Sequence, residues 1–151
     1  MTHRLIFSIA LCTIALGADA GNRPSLRILQ HQDHFDGAGC SFQVVGTPAD
    51  RFDVFQWNLA NEAWINVSGS DMRLKLLSSQ RIPLRKDKTS VGDRQLLEFA
   101  GGGLKVTVRT RTTRVCPEND ESCEVWSEEG VIEVVAGKRS WTARVKGECG
   151  S

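Results

Sequence analysis

This chain has no tyrosine, two methionines and four prolines, and of its three histidines only His31 and His34 lie beyond residue 20. The shortage of histidine bears directly on chemistry. From Cys40 onward there is no imidazole, which removes a Ser-His-Asp arrangement and leaves any cysteine nucleophile without its usual base. A charge excess is missing too: 19 basic residues face 18 acidic ones, a net charge of +1. A general polyanion binder normally carries a clear basic surplus, so nucleic acid is not an expected partner. No helical period is convincing after Gly21. Gly101-Gly102-Gly103 joins two strand-like runs and lacks the following helix that a phosphate-binding loop needs.

Long apolar runs are also scarce. The one at the N-terminus, Leu5 to Gly17, has 13 residues, fewer than the roughly 18 that span a bilayer. It follows His3-Arg4 and precedes Ala18-Asp19-Ala20, the order of a secretory signal peptide with a small-residue cleavage site. Residues 1–20 are therefore expected to be removed, leaving a soluble product of 131 residues without membrane insertion. Cys12 is not read as a lipidation site, because Leu11 precedes it where a small residue is required. The remaining length suits one domain with one core.

Removal of the leader leaves Cys40, Cys116, Cys123 and Cys149. An even count in an exported chain reads as two disulfides. Cys116–Cys123 is the local choice, which leaves Cys40–Cys149 to join the first strand to the last. A zinc site is the rival, but this spacing matches no usual zinc motif and an oxidising compartment disfavours free thiolates.

Residues 21–39 are mostly polar and read as a flexible leader to a domain over 40–151. This segment holds His31-Gln32-Asp33-His34-Phe35-Asp36, which could in principle bind a transition metal. Without a fourth ligand or a scaffold it is read as incidental, and no metal or cofactor is expected. From Cys40 the pattern is β throughout. Strands are expected at Cys40–Val45, Phe52–Trp57, Ala63–Val67, Met72–Leu77, Gln95–Phe99, Leu104–Thr112, Val131–Ala136 and Trp141–Val145. An edge strand could lie near Ile82–Leu84, where Pro83 is tolerable. Ser68-Gly69-Ser70-Asp71 signals a hairpin. Eight or nine short antiparallel strands point to an all-β fold: one small barrel, with a sandwich as the alternative. A first-to-last disulfide favours the barrel, whose end strands are neighbours. Asn66-Val67-Ser68 is a glycosylation sequon, relevant only in a eukaryotic secretory route.

Candidate function centres on Leu104–Val135, read as a hairpin whose tip is closed by Cys116–Cys123. Lys105, Arg109 and Arg111 lie opposite Leu104, Val106 and Val108, and Arg114 joins them only if the strand shifts phase near Thr112. Glu124 and Glu128 on the second arm would make a ladder of exposed ion pairs, each worth about 0–1 kcal/mol. The functional reading adds the acidic tip, with Glu118, Asp120 and Glu121, and Trp126 as a contact anchor if exposed. A calcium site at that tip lacks the spacing of the helix-loop-helix motif. Trp141 falls on the inner face. Carboxylates at Asp53, Glu62, Glu98, Glu124 and Glu133 read as solvation and cross-strand pairing rather than acid–base machinery.

With Cys40-Ser41-Phe42, Val91-Gly92-Asp93-Arg94, Cys116-Pro117-Glu118-Asn119-Asp120-Glu121-Ser122-Cys123 and Lys146-Gly147-Glu148-Cys149 located, the chain resembles small exported bacterial proteins of unassigned function. The resemblance spans most of Cys40–Cys149 and implies a periplasmic or secreted β domain. In size, export and β content it is also similar to periplasmic lysozyme inhibitors, but no stretch matches their inhibitory motif, so no residue is carried over. The expectation is a non-enzymatic binding or inhibitory module that meets a protein of the cell envelope. The alternatives are a small-ligand carrier using the barrel interior and an envelope hydrolase using carboxylates. Oligomeric state is not legible.

Overall fold

A computed structural model describes residues 25–46, 51–117, 119–120 and 122–150. Residues 1–20, read as a signal segment, residues 21–24 of the expected leader, and Glu118 and Glu121 of the acidic tip fall outside these described residues. Nine strands make up the fold: β1 (Leu26–Arg27), β2 (Gly39–Val44), β3 (Phe55–Asn58), β4 (Glu62–Val67), β5 (Ser70–Ile82), β6 (Arg94–Gly101), β7 (Leu104–Arg114), β8 (Val125–Ala136) and β9 (Arg139–Gly150). Every strand from β2 to β9 pairs antiparallel with the next in sequence, and β9 pairs back onto β2. The result is a closed eight-stranded up-and-down barrel. β1 is the extra strand; it pairs with Asn66 and Val67 of β4, beyond the stretch of β4 that β3 covers.

Alternation explains closure. In β7 the buried positions are Leu104, Val106, Val108, Thr110 and Thr112, while Lys105, Arg109 and Arg111 face out. Phe42, Phe55, Ile65, Leu74, Phe99, Ile132, Val134 and Val145 from the other strands fill the middle of the barrel. Each such side chain removed from water contributes roughly 1.5–3 kcal/mol, and together they leave the centre packed rather than hollow. Trp141 lies on the inner face near one end, as its alternation predicts, packed against this core. Both cysteine pairs stand at disulfide distance, Cys40–Cys149 and Cys116–Cys123. Cys40 and Cys149 are directly opposite each other in the β2–β9 seam. Such pairs fit an oxidising, non-cytoplasmic environment.

The two ends of the barrel differ. At one end β4–β5, β6–β7 and β8–β9 are joined by two-residue turns, of which Ser68-Gly69 has both residues at positive φ (61° and 100°), the twist a tight hairpin requires. The opposite end carries the β3–β4 turn, the long 83–93 loop and the disulfide-bridged 115–124 loop.

Some elements depart from the sequence reading. β5 runs on to Ile82 instead of stopping at Leu77, so the separate edge strand at Ile82–Leu84 does not exist; Pro83 ends β5. A bulge between Leu76 and Ser78 lets it continue. The second arm of the expected hairpin, with Trp126 on it, is present as β8, and there Val131–Ala136 is part of one continuous strand of 12 residues. The phase shift considered near Thr112 is present, as a bulge between Thr112 and Arg114.

The segment read as a flexible leader is fixed over 25–38. The Gln30 and His31 amides donate to the two carboxylate oxygens of Asp71 (2.9 and 3.0 Å). Gln32 accepts from the Asp53 amide and donates to the Leu29 carbonyl. The His34 ring lies flat on Trp64, with centroids 5.1 Å apart and planes within 6°, and Phe35 packs on the same indole. Asn66 of the sequon is buried; its side chain donates to the Ile28 carbonyl and accepts from the Gly69 amide. In the folded chain it presents no free amide.

Candidate site at the polar mouth of the barrel

The inner lining changes character along the barrel axis. Past Val108 the inward positions of β7 are Thr110 and Thr112, and ahead of Ile132 those of β8 are Gly130, Glu128 and Trp126. Both runs approach the end that carries the long loops. On β6 the corresponding residue is Gln95, which stands opposite Arg81 of β5. Arg81 owes that position to the bulge. Leu74 and Leu76 would otherwise hand the inward phase to Ser78, Gln80 and Ile82; one extra residue transfers it to Ser79 and Arg81.

Of these, Arg81, Gln95, Thr112, Trp126 and Glu128 line a cavity of about 240 Å³ in the mouth, together with Trp57 and Asp93. Glu128 is 5% exposed. Its two carboxylate oxygens accept one bond each, from the Trp126 indole N–H (3.0 Å) and the Thr110 hydroxyl (2.6 Å). Both donors are neutral. An ionised carboxylate has about four acceptor sites, so Glu128 keeps acceptor capacity. Trp57 is 6% exposed, stacks edge-on against Phe99, and its buried Nε1 has no hydrogen-bond partner among the described residues. An unmet buried donor of this kind costs about 1–3 kcal/mol.

Asp93 plays a different part. At 3% exposure it accepts from the Leu84 amide (2.8 Å), the Ser90 amide (3.0 Å) and the Arg81 guanidinium (2.9 Å). Burial by itself would raise its pKa; the two amides and the Arg81 charge outweigh burial and hold the carboxyl below its ordinary value. Asp93 is thus the anchor of the 83–93 loop, one lip of the mouth, and a poor proton donor near neutral pH. The bridged 115–124 loop forms the other lip. Between them an open groove of about 820 Å³ leads into the cavity, sharing Thr89 and Trp126 with it. Leu59, Leu84, Val91 and Val125 are exposed around this end.

The residues singled out on the hairpin do not converge. Arg109 is on the outer wall, paired with Glu133 (3.1 Å), and Arg114 is paired with Glu148 (3.1 Å). Arg111 is exposed on the same wall, opposite Glu129. Asp120 is engaged locally, accepting from the Ser122 amide and hydroxyl. Trp126 is half-buried and faces inward, so the outer arginines and the tryptophan lie on opposite faces of the sheet. Glu128 is likewise inside and takes no part in the outer ion-pair ladder. His34 is occupied by Asp71 (3.0 Å) and by Trp64, and no group of three or more His, Cys, Asp or Glu side chains converges among the described residues.

Sequence reasoning overlooked Trp57, Arg81, Asp93, Thr112 and the inward position of Glu128. A signal for two of them was available. Thr110 and Thr112 continue the phase of Leu104, Val106 and Val108, and Glu128 continues that of Ile132 and Val134, so polar residues stood at inward positions. No family model matches this chain, and no curated protein or solved structure does either.

Proposed function

We propose that this chain is a non-enzymatic binding protein of the periplasm or the secreted fraction, and that it captures a small polar ligand in the mouth of its barrel. One observation carries the reading: a barrel packed solid at its centre opens at one end into a cavity lined by the buried Glu128, by Thr112 and Gln95, and by Trp57 and Trp126. Ligand sites have such convergent polar groups in a concave setting, and barrel mouths are common places for them. The cavity is below the roughly 300–1,000 Å³ of drug-sized sites, which suits a compact ligand. The acid–base alternative fares less well, because Asp93 is engaged by three donors that hold its pKa below the ordinary value, which suits a loop anchor and not a proton donor.

Trp57 and Trp126 both line the cavity, so occupancy should alter intrinsic fluorescence. Native mass spectrometry of freshly purified protein, followed by unfolding and release, tests the proposal. A retained small molecule whose return restores the fluorescence supports it. Protein that arrives empty, and whose emission responds to no extract of small molecules, refutes it.

A second reading is favoured by the exposed Leu59, Leu84, Val91 and Val125: the apolar rim seats a partner protein whose side chain enters the mouth. It predicts empty protein and a complex lost when Leu84 and Val91 are both changed to Ser.

A further inference from the structure

The two cysteine pairs stand in opposite settings. Cys40 and Cys149 are 2% and 1% exposed and face each other across the β2–β9 seam. A thiol reaches them only after that seam opens. Cys116 and Cys123 are half-buried and line the open groove of the mouth, beside Leu84, Val91 and Trp126. Their Sγ atoms lie 3.3 and 3.6 Å from the Val125 carbonyl, in an exposed position. This bridge also lies outside the pairing of the barrel. The β7–β8 ladder ends at Arg114 and Ser127, and Val125 and Trp126 are held from the other side by Gly150 and Cys149 of β9. Between these ends the Asp120 amide bonds to the Pro117 carbonyl (3.1 Å) and the Cys123 amide to the Asp120 carbonyl (3.2 Å), so the loop is folded on itself.

We propose that Cys116–Cys123 is a thiol–disulfide exchange site, and that its reduction releases the 115–124 lip of the mouth while the barrel stays closed. The co-reactant is a dithiol. One of its thiolates attacks a cysteine sulfur, forming a mixed disulfide and expelling the other cysteine as a thiolate, which takes up a proton. The second thiolate of the dithiol then attacks its partner sulfur in the mixed disulfide, and the remaining cysteine leaves and is protonated in turn. The dithiol ends as a disulfide, and its electron pair has passed to the bridge. Exchange of this kind falls on exposed disulfides, whereas well-buried ones resist it. Arg85 and Lys88 on the facing wall favour a thiolate in the groove, against the single carboxylate of Glu124 beside Cys123. The site goes beyond the binding reading above and does not depend on what the cavity holds.

The test exposes the native, oxidised protein to dithiothreitol, blocks free thiols with iodoacetamide at intervals, and maps the alkylated positions by mass spectrometry. Cys116 and Cys123 should be reduced about a hundredfold or more faster than Cys40 and Cys149. In urea that unfolds the chain the two pairs should react at similar rates, which shows that folding sets the difference. The selectively reduced protein should keep its far-ultraviolet circular dichroism and a cooperative melt. A glutamate-specific protease should cut it within 115–124, and should cut the oxidised protein there far more slowly. Cys116→Ser with Cys123→Ser should be cut like the reduced form, with no further response to dithiothreitol. Similar rates for both pairs in the native protein overturn the proposal, as does a bridge that resists reduction until the chain unfolds. Loss of the cooperative melt on selective reduction also overturns it, and so does a loop cut equally in both redox forms.

Discussion

Removing the two disulfides one at a time should expose how unequally they hold the fold. Cys40 and Cys149 are 109 positions apart in sequence, whereas Cys116 and Cys123 are 7 apart. On the chain-entropy relation, the longer link removes enough freedom from the unfolded chain to contribute about 4.8 kcal/mol, and the shorter one about 2.5 kcal/mol. The setting of the bonds widens that difference. Every other seam of the barrel joins strands consecutive in sequence, so each can form as a local hairpin. The β2–β9 seam alone joins the ends of the ring, and Cys40–Cys149 lies within it. Cys40→Ala with Cys149→Ala should lower Tm by roughly 15 °C, and Cys116→Ala with Cys123→Ala by roughly 8 °C, for a chain of this size. Urea titration followed by tryptophan emission gives the free energies directly, and an unchanged slope shows that the reference states are unchanged. Equal losses, or a larger loss from the hairpin pair, would refute the reasoning; so would a β2–β9 variant that loses less than about 2 kcal/mol.

Four further outcomes follow from local geometry. Gly130 has no room for a side chain, since a Cβ there would run into the Arg109 carbonyl of β7; Gly130→Ala should cost about 3 kcal/mol, read by urea denaturation. Gly137→Ala, with open space around it but positive φ, should cost only about 1 kcal/mol. Asp93→Asn should destabilise by about 1–3 kcal/mol at pH 7, a figure already reduced for the half-exposed Arg81. Because the folded pKa of Asp93 is lowered, its contribution is complete above the unfolded value of about 3.9 and is lost as pH falls through the folded value. The gap in melting temperature between wild type and variant should therefore narrow as pH falls below about 3.9, and a gap that stays constant through the acid range would sink the assignment. Trp64→Ala removes the surface on which His34 and Phe35 stack; limited proteolysis should then cut within 25–38 while the barrel stays resistant.

Strand order and closure were readable because alternation of apolar residues repeats through β7, β8 and β9, and because a first-to-last cysteine pair implies neighbouring end strands. The mouth was not readable for two reasons. Its lining depends on a bulge after Leu76 that moves Arg81 inward, and a bulge leaves no mark in residue type. It also depends on loop residues, Asp93 above all, whose partners Arg81, Leu84 and Ser90 converge only once the 83–93 loop is folded. Glu128 illustrates a more general difficulty. A charged residue in an alternating strand reads as outward by chemistry even where phase places it inward. The 25–38 strap failed for the opposite reason: its anchors are Asp71, Trp64 and Asp53, none of them local in sequence, and its own residues carry no period.

Closure of the ring also bears on how this protein can meet others of its kind. An open sheet presents a row of unpaired amides and carbonyls onto which another chain can add a strand, a common route to aggregation and to fibrils. Here β2 through β9 pair on both sides, and β1 is only two residues long. Among the described residues, backbone templating has almost no place to begin. The described surface therefore offers other macromolecules mainly side chains and loops, chiefly at the end that carries the long loops, and a barrel that loses its β2–β9 seam would be the form prone to polymerise.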